Sequence, residues 1–309
     1  MNNHSLAPVV LFTYNRPDHT AKVLEALSNN HLAKESNLYI FCDGPKNEKT
    51  IETNKLVRQI IHEEKWKECF RSVTVVESEV NKGLANSIIS GVTDVLNIWG
   101  KCIVLEDDLL TSKYFLTYMN HALNYYSEDH RIWSVTGFSF NLSTLKKYDH
   151  DVYLSYRANS HSWGTWKDRW DKVDWDVSDF DMLCRSPAKI ARFNRGGNDL
   201  FRMLRHQMRG ERDSWAIRFC YSQSKNDMYT VYPKYSFVKN IGFDGTGTHC
   251  QKGELIDYSN FAEDLSSMKF ESVNLDKRIT AEFKRMYRIS AKEAGQWLLN
   301  RMRRLFRQR

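Results

Sequence analysis

Short apolar runs alternate with longer amphipathic stretches through the first third of the chain. Each run has four or five residues, mostly β-branched or large and apolar, which is typical of a buried strand. The runs are Val9–Thr13, Leu38–Cys42, Val73–Val76 and Cys102–Leu105. The stretches between them begin at polar turns and carry apolar residues at helical spacing. Because near-continuous apolar strands separated by helices are typical of parallel sheets covered on both faces, the pattern predicts an α/β fold with a mostly parallel sheet flanked by helices.

The middle of the chain continues with elements of both kinds. The patterns predict helices over Tyr114–Tyr126 and from Trp215 to about Ser224, and strands over Ile132–Thr136 and Tyr229–Tyr232. Between these elements, Trp163, Trp166 and Trp170 recur at helical spacing. We interpret this stripe as core packing, because large aromatic residues dominate burial. Stacking of one tryptophan on a sugar ring is the alternative.

The composition indicates a globular chain with enough apolar residues for a packed core. Of 309 residues, 41% are hydrophobic, and no run reaches the roughly 20 apolar residues of a membrane span. The first residues lack the basic and then apolar pattern of a signal peptide, so we expect a cytoplasmic protein. The six cysteines are far apart and form no C-x-x-C pair. We expect them to be reduced core residues rather than disulfides or zinc ligands.

The net charge of +7 is concentrated at the carboxyl terminus. Residues 280–309 contain nine Lys or Arg and two Glu, a difference of seven, so the rest of the chain is neutral. The pattern predicts a basic amphipathic helix whose apolar side contains Leu298, Met302, Leu305 and Phe306. Such helices bind anionic membrane surfaces, with about 1 kcal/mol per basic residue, so we expect peripheral attachment to the inner face of the membrane. A solvated terminal helix and a protein partner are the alternatives, and we expect no nucleic-acid partner.

Three consecutive acids, Glu106, Asp107 and Asp108, follow the fourth predicted strand. Adjacent carboxylates repel one another, so a cation must compensate them if they are held together at a strand end. A hard divalent ion that also binds a diphosphate fits this arrangement, because such ions prefer oxygen ligands. A solvated acidic turn is the alternative.

Other polar residues follow the first three predicted strands, at the ends where ligands gather in parallel sheets. They are Arg16, Asp43 and Lys82, and together with the acids they predict a nucleotide site, although each alone could be an ordinary surface residue. Later in the chain, Asp213 precedes a helix, either as its N-cap or as a general base in a cleft. The glycine-rich segment 240–249 ends at His249, and such a loop can close over a ligand.

Seven short motifs carry a resemblance to a known family. They are Thr13-Tyr14-Asn15-Arg16-Pro17, Cys42-Asp43-Gly44, Asn81-Lys82-Gly83, Leu105-Glu106-Asp107-Asp108, Trp163-Gly164-Thr165-Trp166, Asp213-Ser214-Trp215 and Gly245-Thr246-Gly247-Thr248-His249. Together they resemble the GT-A glycosyltransferases, and within them the N-acetylglucosaminyltransferase I group and its bacterial relatives. The likeness covers about residues 8–250 and is strongest at the acid motif. It implies a GT-A type, Rossmann-like sheet, with a donor-binding half at 1–150, an acceptor-side half at 151–255 and a carboxyl-terminal extension at 256–309.

The resemblance also implies a role for each candidate residue. Asp108 would bind Mn²⁺ or Mg²⁺, which holds the diphosphate of a UDP-sugar donor, and Asp213 would be the general base. Arg16 would contact the diphosphate of the donor, and Asp43 would contact its uracil. Glu106 and Asp107 would contact the sugar and the ribose. His249 would lie in the loop over the phosphates, and Lys82 would be a further donor-binding residue.

The expected activity is a metal-dependent, inverting transfer of a sugar from a UDP-sugar to a hydroxyl of a saccharide acceptor. The resemblance implies that this sugar is an N-acetylhexosamine, as is usual in the group. The metal would stabilise the leaving diphosphate, and one carboxylate would deprotonate the attacking hydroxyl. The eukaryotic members carry an amino-terminal membrane anchor and luminal disulfides, which this sequence does not show. We therefore expect a lipid-linked or surface-polysaccharide precursor as the acceptor.

Two other classes stay open. A sugar-phosphate nucleotidyltransferase would share the nucleotide-binding half and the metal, but it normally carries a glycine-rich signature that residues 11–17 lack. An inactive carbohydrate- or membrane-binding module of the same fold is the second alternative, because a fold alone does not secure activity.

Overall fold

The structure is a computed structural model that describes residues 6–244, 260–262 and 268–288. In these residues the chain is an α/β protein with one large mixed sheet and one small sheet of two strands. The strands are β1 (Val9–Thr13), β2 (Asn37–Cys42), β3 (Ser72–Glu77), β4 (Lys101–Glu106), β5 (Leu109–Thr111), β6 (Ile132–Thr136), β7 (Val152–Ser155), β8 (Trp163–Trp166), β9 (Tyr229–Pro233) and β10 (Val238–Asn240). The helices are α1 (Pro17–Ser28), α2 (Glu48–Ile61), α3 (Lys65–Cys69), α4 (Leu84–Trp99), α5 (Phe115–Tyr125), α6 (Lys167–Trp170), α7 (Phe180–Cys184), α8 (Pro187–Phe193), α9 (Leu200–Met208), α10 (Trp215–Lys225) and α11 (Lys277–Met286).

The large sheet has the strand order β3-β2-β1-β4-β8-β6-β9-β7. Its first four strands in the chain are parallel neighbours: β1 lies between β2 and β4, and β3 pairs with β2. β6 and β9 are also parallel, whereas β8 runs antiparallel between β4 and β6, and β7 runs antiparallel beside β9. The predicted fold class is therefore confirmed as a helix-flanked, mostly parallel α/β sheet of the Rossmann-like kind.

Alternating residues of β1 divide the core into two layers. Val9 and Leu11 belong to the layer that β1 forms with α1, α2 and α5, whereas Val10 and Phe12 belong to the layer with α4, α6 and α10. Successive side chains of a strand point to opposite faces, and both faces are covered here. This double coverage explains why β1 reads as an uninterrupted apolar run, with all five residues buried.

The tryptophan segment begins with a strand, although its tryptophans recur at helical spacing. Trp163–Trp166 form β8, which fills the space between β4 and β6, and only Trp170 belongs to the following short helix α6. Trp163 stacks on Trp170 and on Trp215 of α10, with ring centroids 5.7 and 4.9 Å apart. Trp163, Trp166 and Trp170 are all buried, which confirms the interpretation as core packing.

Several short elements are not predicted by the sequence pattern. β5 and β10 have three residues each and pair antiparallel, and β7 has four. Elements of this length offer too few positions for a period to be recognised.

Five of the six cysteines lie in the described residues, and none of these five is in a disulfide. Cys42, Cys102 and Cys220 are buried, as predicted, whereas Cys184 is exposed and Cys69 is half-buried. Over the same described ranges, no helix has the length and apolar character needed to cross a membrane.

Most of the predicted tail helix lies outside the described residues, which end at residue 288. The division of the chain at residues 150 and 255 stays a prediction. The large sheet takes strands from both sides of residue 150.

Helix α11 is fastened to the rest of the fold by one carboxylate. Glu282 accepts hydrogen bonds from the backbone N–H and hydroxyl of Ser143, at 2.8 and 2.7 Å, and from those of Thr144, at 3.0 and 2.6 Å. Burial alone would raise the pKa of Glu282, but these four bonds outweigh it and lower the pKa to about 2. Ile279 and Phe283 on the same helix are buried in an aromatic cluster.

We predict that Glu282→Ala lowers the free energy of unfolding by about 2 kcal/mol at pH 7, because hydrogen bonds to a charged group contribute about 1.5–3 kcal/mol. The folded-state pKa is depressed, so the stabilisation is complete above about pH 5 and is lost as the pH falls towards 2. Urea denaturation at pH 7 and at pH 3 measures this. The exposed Glu128 serves as the control, and Glu128→Ala should change little at either pH. If wild type and Glu282→Ala differ in free energy of unfolding by the same amount at pH 7 and at pH 3, the prediction is contradicted.

Candidate active site

The three acids lie where β4 ends and the chain turns into β5. Glu106 is the last residue of β4, and Asp107 and Asp108 form the turn before Leu109. Asp107 is 4% exposed and Asp108 is 9% exposed, so this turn is not a solvated one. The carbonyl of Asp108 accepts a 2.8 Å hydrogen bond from the N–H of Ile241, which ties the turn to the segment after β10.

Arg16 supplies positive charge to this turn. It precedes α1, which begins at Pro17, a favourable first helical position for proline. Its Nη2 bonds to Asp107 Oδ1, and its Nη1 lies 3.1 Å from Asp108 Oδ2. β1 and β4 are adjacent and parallel, so their carboxyl ends meet at one edge of the sheet. The structure therefore brings Arg16 and the acids together, as the strand pattern predicts.

The charges in this cluster are only partly compensated. Burial, with Asp108 and Asp107 nearby, raises the pKa of Glu106 to about 8. Burial also raises the pKa of Asp107 to about 6, although Arg16 opposes the shift. Burial would lower the pKa of Arg16, but its two aspartate partners raise it above the ordinary value. One guanidinium thus faces three carboxylates, and the excess negative charge suits a further cation.

Asp108 is packed against a glycine. A Cβ at Gly242 would overlap Asp108 Oδ2, so a side chain there would displace the carboxylate. The N–H of Gly242 donates to Asn240 Oδ1 at 2.6 Å, and the 3-10 helix Gly242–Asp244 starts at this residue. The described part of the glycine-rich segment is therefore one wall of the acid cluster. His249 lies outside the described residues.

Asp43 organises the turn that leads from β3 into α4. Its Oδ1 accepts hydrogen bonds from the N–H groups of Gly44 and Lys82, at 3.0 and 2.8 Å. Its Oδ2 accepts from the N–H of Gly83 at 2.9 Å. Gly83 is the N-cap of α4 and has a φ of +78°, a conformation that favours glycine. β1 separates β2 from β4, so Asp43 and Glu106 are about 10 Å apart along the sheet edge.

Lys82 is exposed in the turn before α4. It borders a shallow, open depression of about 560 Å³ along that helix, between Lys82 and Asp94. Apart from His249, the predicted donor-binding residues thus occupy the ends of the first, second and fourth strands and the turn after the third. This is the arrangement expected when parallel strands share one edge.

Asp213 lies in the turn before α10, and its side chain is 58% exposed. Ser214 is the N-cap of this helix, with Oγ accepting from the N–H of Ile217 at 3.4 Å, so the interpretation of Asp213 as the N-cap is wrong. Asp213 instead pairs with Arg218 at 3.2 Å. The residue after this cap, Trp215, stacks on Trp163 at the start of β8, which brings the start of α10 towards the edge that holds the acids. The described contacts of Asp213 are with Arg218 and not with the acids.

Two residues near the acids are not indicated by the sequence pattern. His161 and Ser162 immediately precede β8, and the pairing of Trp163 with Val104 sets them beside the end of β4. Asp108 acts electrostatically on the His161 ring. The pairing of β8 with β4 joins distant parts of the chain, so the sequence pattern does not indicate that the residues before Trp163 reach the carboxyl end of β4.

We predict that Arg16→Met lowers the free energy of unfolding by about 3 kcal/mol, because removing one partner leaves buried carboxylates without their counter-charge. The pKa values of Glu106 and Asp107 are raised in the fold, so protonation relieves the repulsion at low pH and the loss should be larger at pH 8 than at pH 5. Urea denaturation at the two pH values measures it. The control is Arg131→Met, which breaks a more exposed pair with Asp129 and should cost less than about 1 kcal/mol. Equal losses for the two variants at both pH values would contradict the prediction.

Comparison with known proteins adds no assignment to this geometry. No protein-family model matches the chain, and no curated protein matches it. The function must therefore be argued from the acid turn, its arginine and the residues that share their edge of the sheet.

Proposed function

We propose that the protein is a metal-dependent, inverting glycosyltransferase of the GT-A type. It transfers a sugar from a UDP-sugar to a hydroxyl of a saccharide acceptor. The observation that carries the proposal is the incompletely compensated cluster of three carboxylates at the carboxyl end of β4. Perturbed carboxylates of this kind concentrate at functional sites, because burying charge without a ligand is unfavourable.

The sheet supports this proposal by its topology. In open α/β sheets, ligands bind beyond the carboxyl ends of the strands. β2, β1 and β4 are adjacent, and their ends carry Asp43, Arg16 and the acids in that order. A nucleotide lying along this edge would meet an acceptor for a base N–H, a cation for the diphosphate and carboxylates for the metal and sugar hydroxyls.

The acid turn fits a divalent cation. Asp108, with Glu106 and Asp107 beside it, would hold Mn²⁺ or Mg²⁺ in the way such ions are held by one or two carboxylates plus substrate phosphates. Among the described residues, no group of three His, Cys, Asp or Glu could hold a metal alone, so the proposal requires substrate phosphates as further ligands. When bound, the ion would neutralise the negative charge of the leaving diphosphate.

The residues of the chain supply the other steps. Arg16 would bind and orient the diphosphate while it keeps its contacts with the acids. Asp213 would accept the proton of the acceptor hydroxyl as its oxygen attacks the anomeric carbon. The bond from that carbon to the diphosphate oxygen breaks on the opposite face, so UDP leaves and the anomeric configuration inverts. Arg218, which pairs with Asp213, would hold the carboxylate in place.

The acceptor is proposed to be a lipid-linked or surface-polysaccharide precursor, with the protein acting in the cytoplasm at the inner face of the membrane. The support is the basic pattern of residues 280–309, most of which lie outside the described residues. The donor sugar is proposed to be an N-acetylhexosamine.

We predict that one UDP-sugar raises the melting temperature of the wild-type protein in the presence of Mn²⁺. At about 100 times Kd, binding adds about 2.7 kcal/mol, or roughly 4 °C for a chain of this size. Asp108→Asn should abolish the shift. The matched control is Asp227→Asn, because Asp227 also pairs with arginines, Arg192 and Arg195, on another part of the surface. Thermal unfolding with a panel of nucleotide sugars, with and without Mn²⁺, measures both.

Two results would favour the alternatives. If no nucleotide raises the melting temperature, the proposal is contradicted and an inactive module is favoured. Release of pyrophosphate from a nucleoside triphosphate and a sugar phosphate would instead assign a nucleotidyltransferase.

We predict that Asp213→Asn reduces turnover at least 100-fold and leaves UDP-sugar affinity within about twofold, because general-base catalysis typically contributes 10²–10⁴ in rate. UDP release under saturating donor and Mn²⁺, together with calorimetric binding of the donor, gives the two quantities. The control is Asp171→Asn, since Asp171 is another exposed carboxylate paired with a cation, Lys167. Wild-type rates in Asp213→Asn would remove the assignment of the base and leave the donor site standing.

A further inference from the structure

Two buried polar atoms beside the acid cluster have no hydrogen-bond partner among the described residues. They are Nδ1 of His161 and Oγ of Ser162, and Ser162 as a whole is fully buried. Leaving a buried polar atom unpaired costs about 1–3 kcal/mol, so folded proteins keep few of them. Two consecutive ones at the edge of a candidate site indicate that something other than the fold uses them.

The sheet register sets the pair next to the acids. Trp163 lies opposite Val104 in the antiparallel pairing of β8 with β4. His161 and Ser162 come immediately before this last pair, so they lie at the carboxyl end of β4, where the acid turn begins. Burial lowers the pKa of the His161 ring, and the nearby Asp108 opposes that shift. The ring is therefore within electrostatic range of the acid turn.

The backbone holds this pair in a conformation that needs support. Ser162 has a φ of +57°, in the left-handed region that costs a non-glycine residue about 1 kcal/mol. The hydroxyl of Thr136 donates to the carbonyl of Ser162 at 2.7 Å and lies 3.3 Å from that of His161. A Cβ at Gly137 would come within 2.6 Å of the Phe115 ring and 3.0 Å of Ser162 Oγ, so only glycine leaves room here. Strain that its surroundings maintain in this way clusters at ligand sites.

The chemistry of the two groups suits uncharged hydroxyls. A neutral imidazole has one donor and one acceptor nitrogen, and a serine hydroxyl both donates and accepts. A phosphate would be repelled by the three acids and is better matched by Arg16. A sugar hydroxyl can form a hydrogen bond with the carboxyl group of Glu106 while it accepts from a donor beside it.

We propose that His161 and Ser162 bind hydroxyl groups of the transferred sugar and, with Glu106, form the sugar subsite beside the acid cluster. This inference rests on the proposed UDP-sugar transferase and adds positioning residues to it. In this arrangement the sugar would bind at His161, Ser162 and Glu106, whereas the uracil and the diphosphate would bind at the ends of β2 and β1.

The test uses His161→Phe and Ser162→Ala and compares two ligands. Binding of UDP, and of UDP-N-acetylglucosamine or its 4-epimer, is measured by calorimetry in the presence of Mn²⁺. Each variant should weaken the UDP-sugar about tenfold, equal to about 1.4 kcal/mol, and change UDP affinity by less than about twofold. A residue with a purely structural role would change both affinities together.

The melting temperature of the free protein gives a second readout. Ser162→Ala removes a buried hydroxyl without a described partner, so the free protein should be as stable as wild type or more stable. His161→Phe keeps the ring that packs edge-on against Phe138 at 4.9 Å. The matched control is Tyr118→Phe, which removes another buried, unpartnered hydroxyl, stacked against Phe237 in the core. This control should leave both affinities unchanged.

The outcomes separate this inference from the function on which it rests. If the wild type binds the UDP-sugar but the two variants bind it as tightly, or weaken UDP equally, the sugar subsite is overturned and the transferase proposal stands. If the wild type binds neither UDP nor any UDP-sugar, both are overturned.

Discussion

Three adjacent carboxylates at the end of a buried strand are the constraint on which the rest of this site depends. β4 is paired on both sides, by β1 and β8, and Glu106 itself lies opposite Phe12 of β1, which fixes its backbone at the edge of the sheet. Arg16 reaches Asp107 and Asp108 because β1 is the parallel neighbour of β4. Even so, burial of the turn, together with Asp108 and Asp107, keeps the pKa of Glu106 raised despite Arg16, so the turn disfavours a third negative charge. A purely structural turn would be more stable with uncharged residues, so the retained charge favours a function.

A single antiparallel strand then decides what surrounds the acids. β8 enters between β4 and β6 against the direction of its neighbours, so its amino end lies at the carboxyl end of β4. Trp163 at that end stacks on Trp215, which draws the start of α10 and Asp213 towards the edge. The two residues before Trp163 are carried to the acid turn by the same geometry. Without β8, neither the start of α10 nor His161 and Ser162 would be held near this edge of the sheet.

The parts of the fold that the sequence predicts are those that local pattern controls. β1 to β4 each read as a short apolar run between polar turns, so the polar residues after these runs could be grouped from the sequence alone. β8 could not be recognised from the sequence, because it forms a strand only by pairing with β4 and β6. In addition, Trp163, Trp166 and Trp170 recur at a spacing that is typical of a helix. The interpretation of Asp213 as the N-cap of α10 was wrong for a related reason. Asp213 and Ser214 are both good N-caps, and only the path of the backbone selects Ser214.

The hydrogen bonds that Asp43 makes within the fold are compatible with the base-binding role that we propose for it. A carboxylate has about four lone-pair sites, and three of those on Asp43 accept backbone N–H groups from Gly44, Lys82 and Gly83. Oδ1 accepts two of these bonds and Oδ2 accepts one, so Oδ2 can accept one more donor. The imide N–H of a uracil is a single donor of that kind. The bonds that fix the start of α4 would also hold Oδ2 in a constant orientation, and a fixed acceptor loses less conformational freedom on binding than a mobile one. The sequence indicates the carboxylate at this position, whereas the backbone contacts that orient it come from a turn nearly 40 residues later, after another strand.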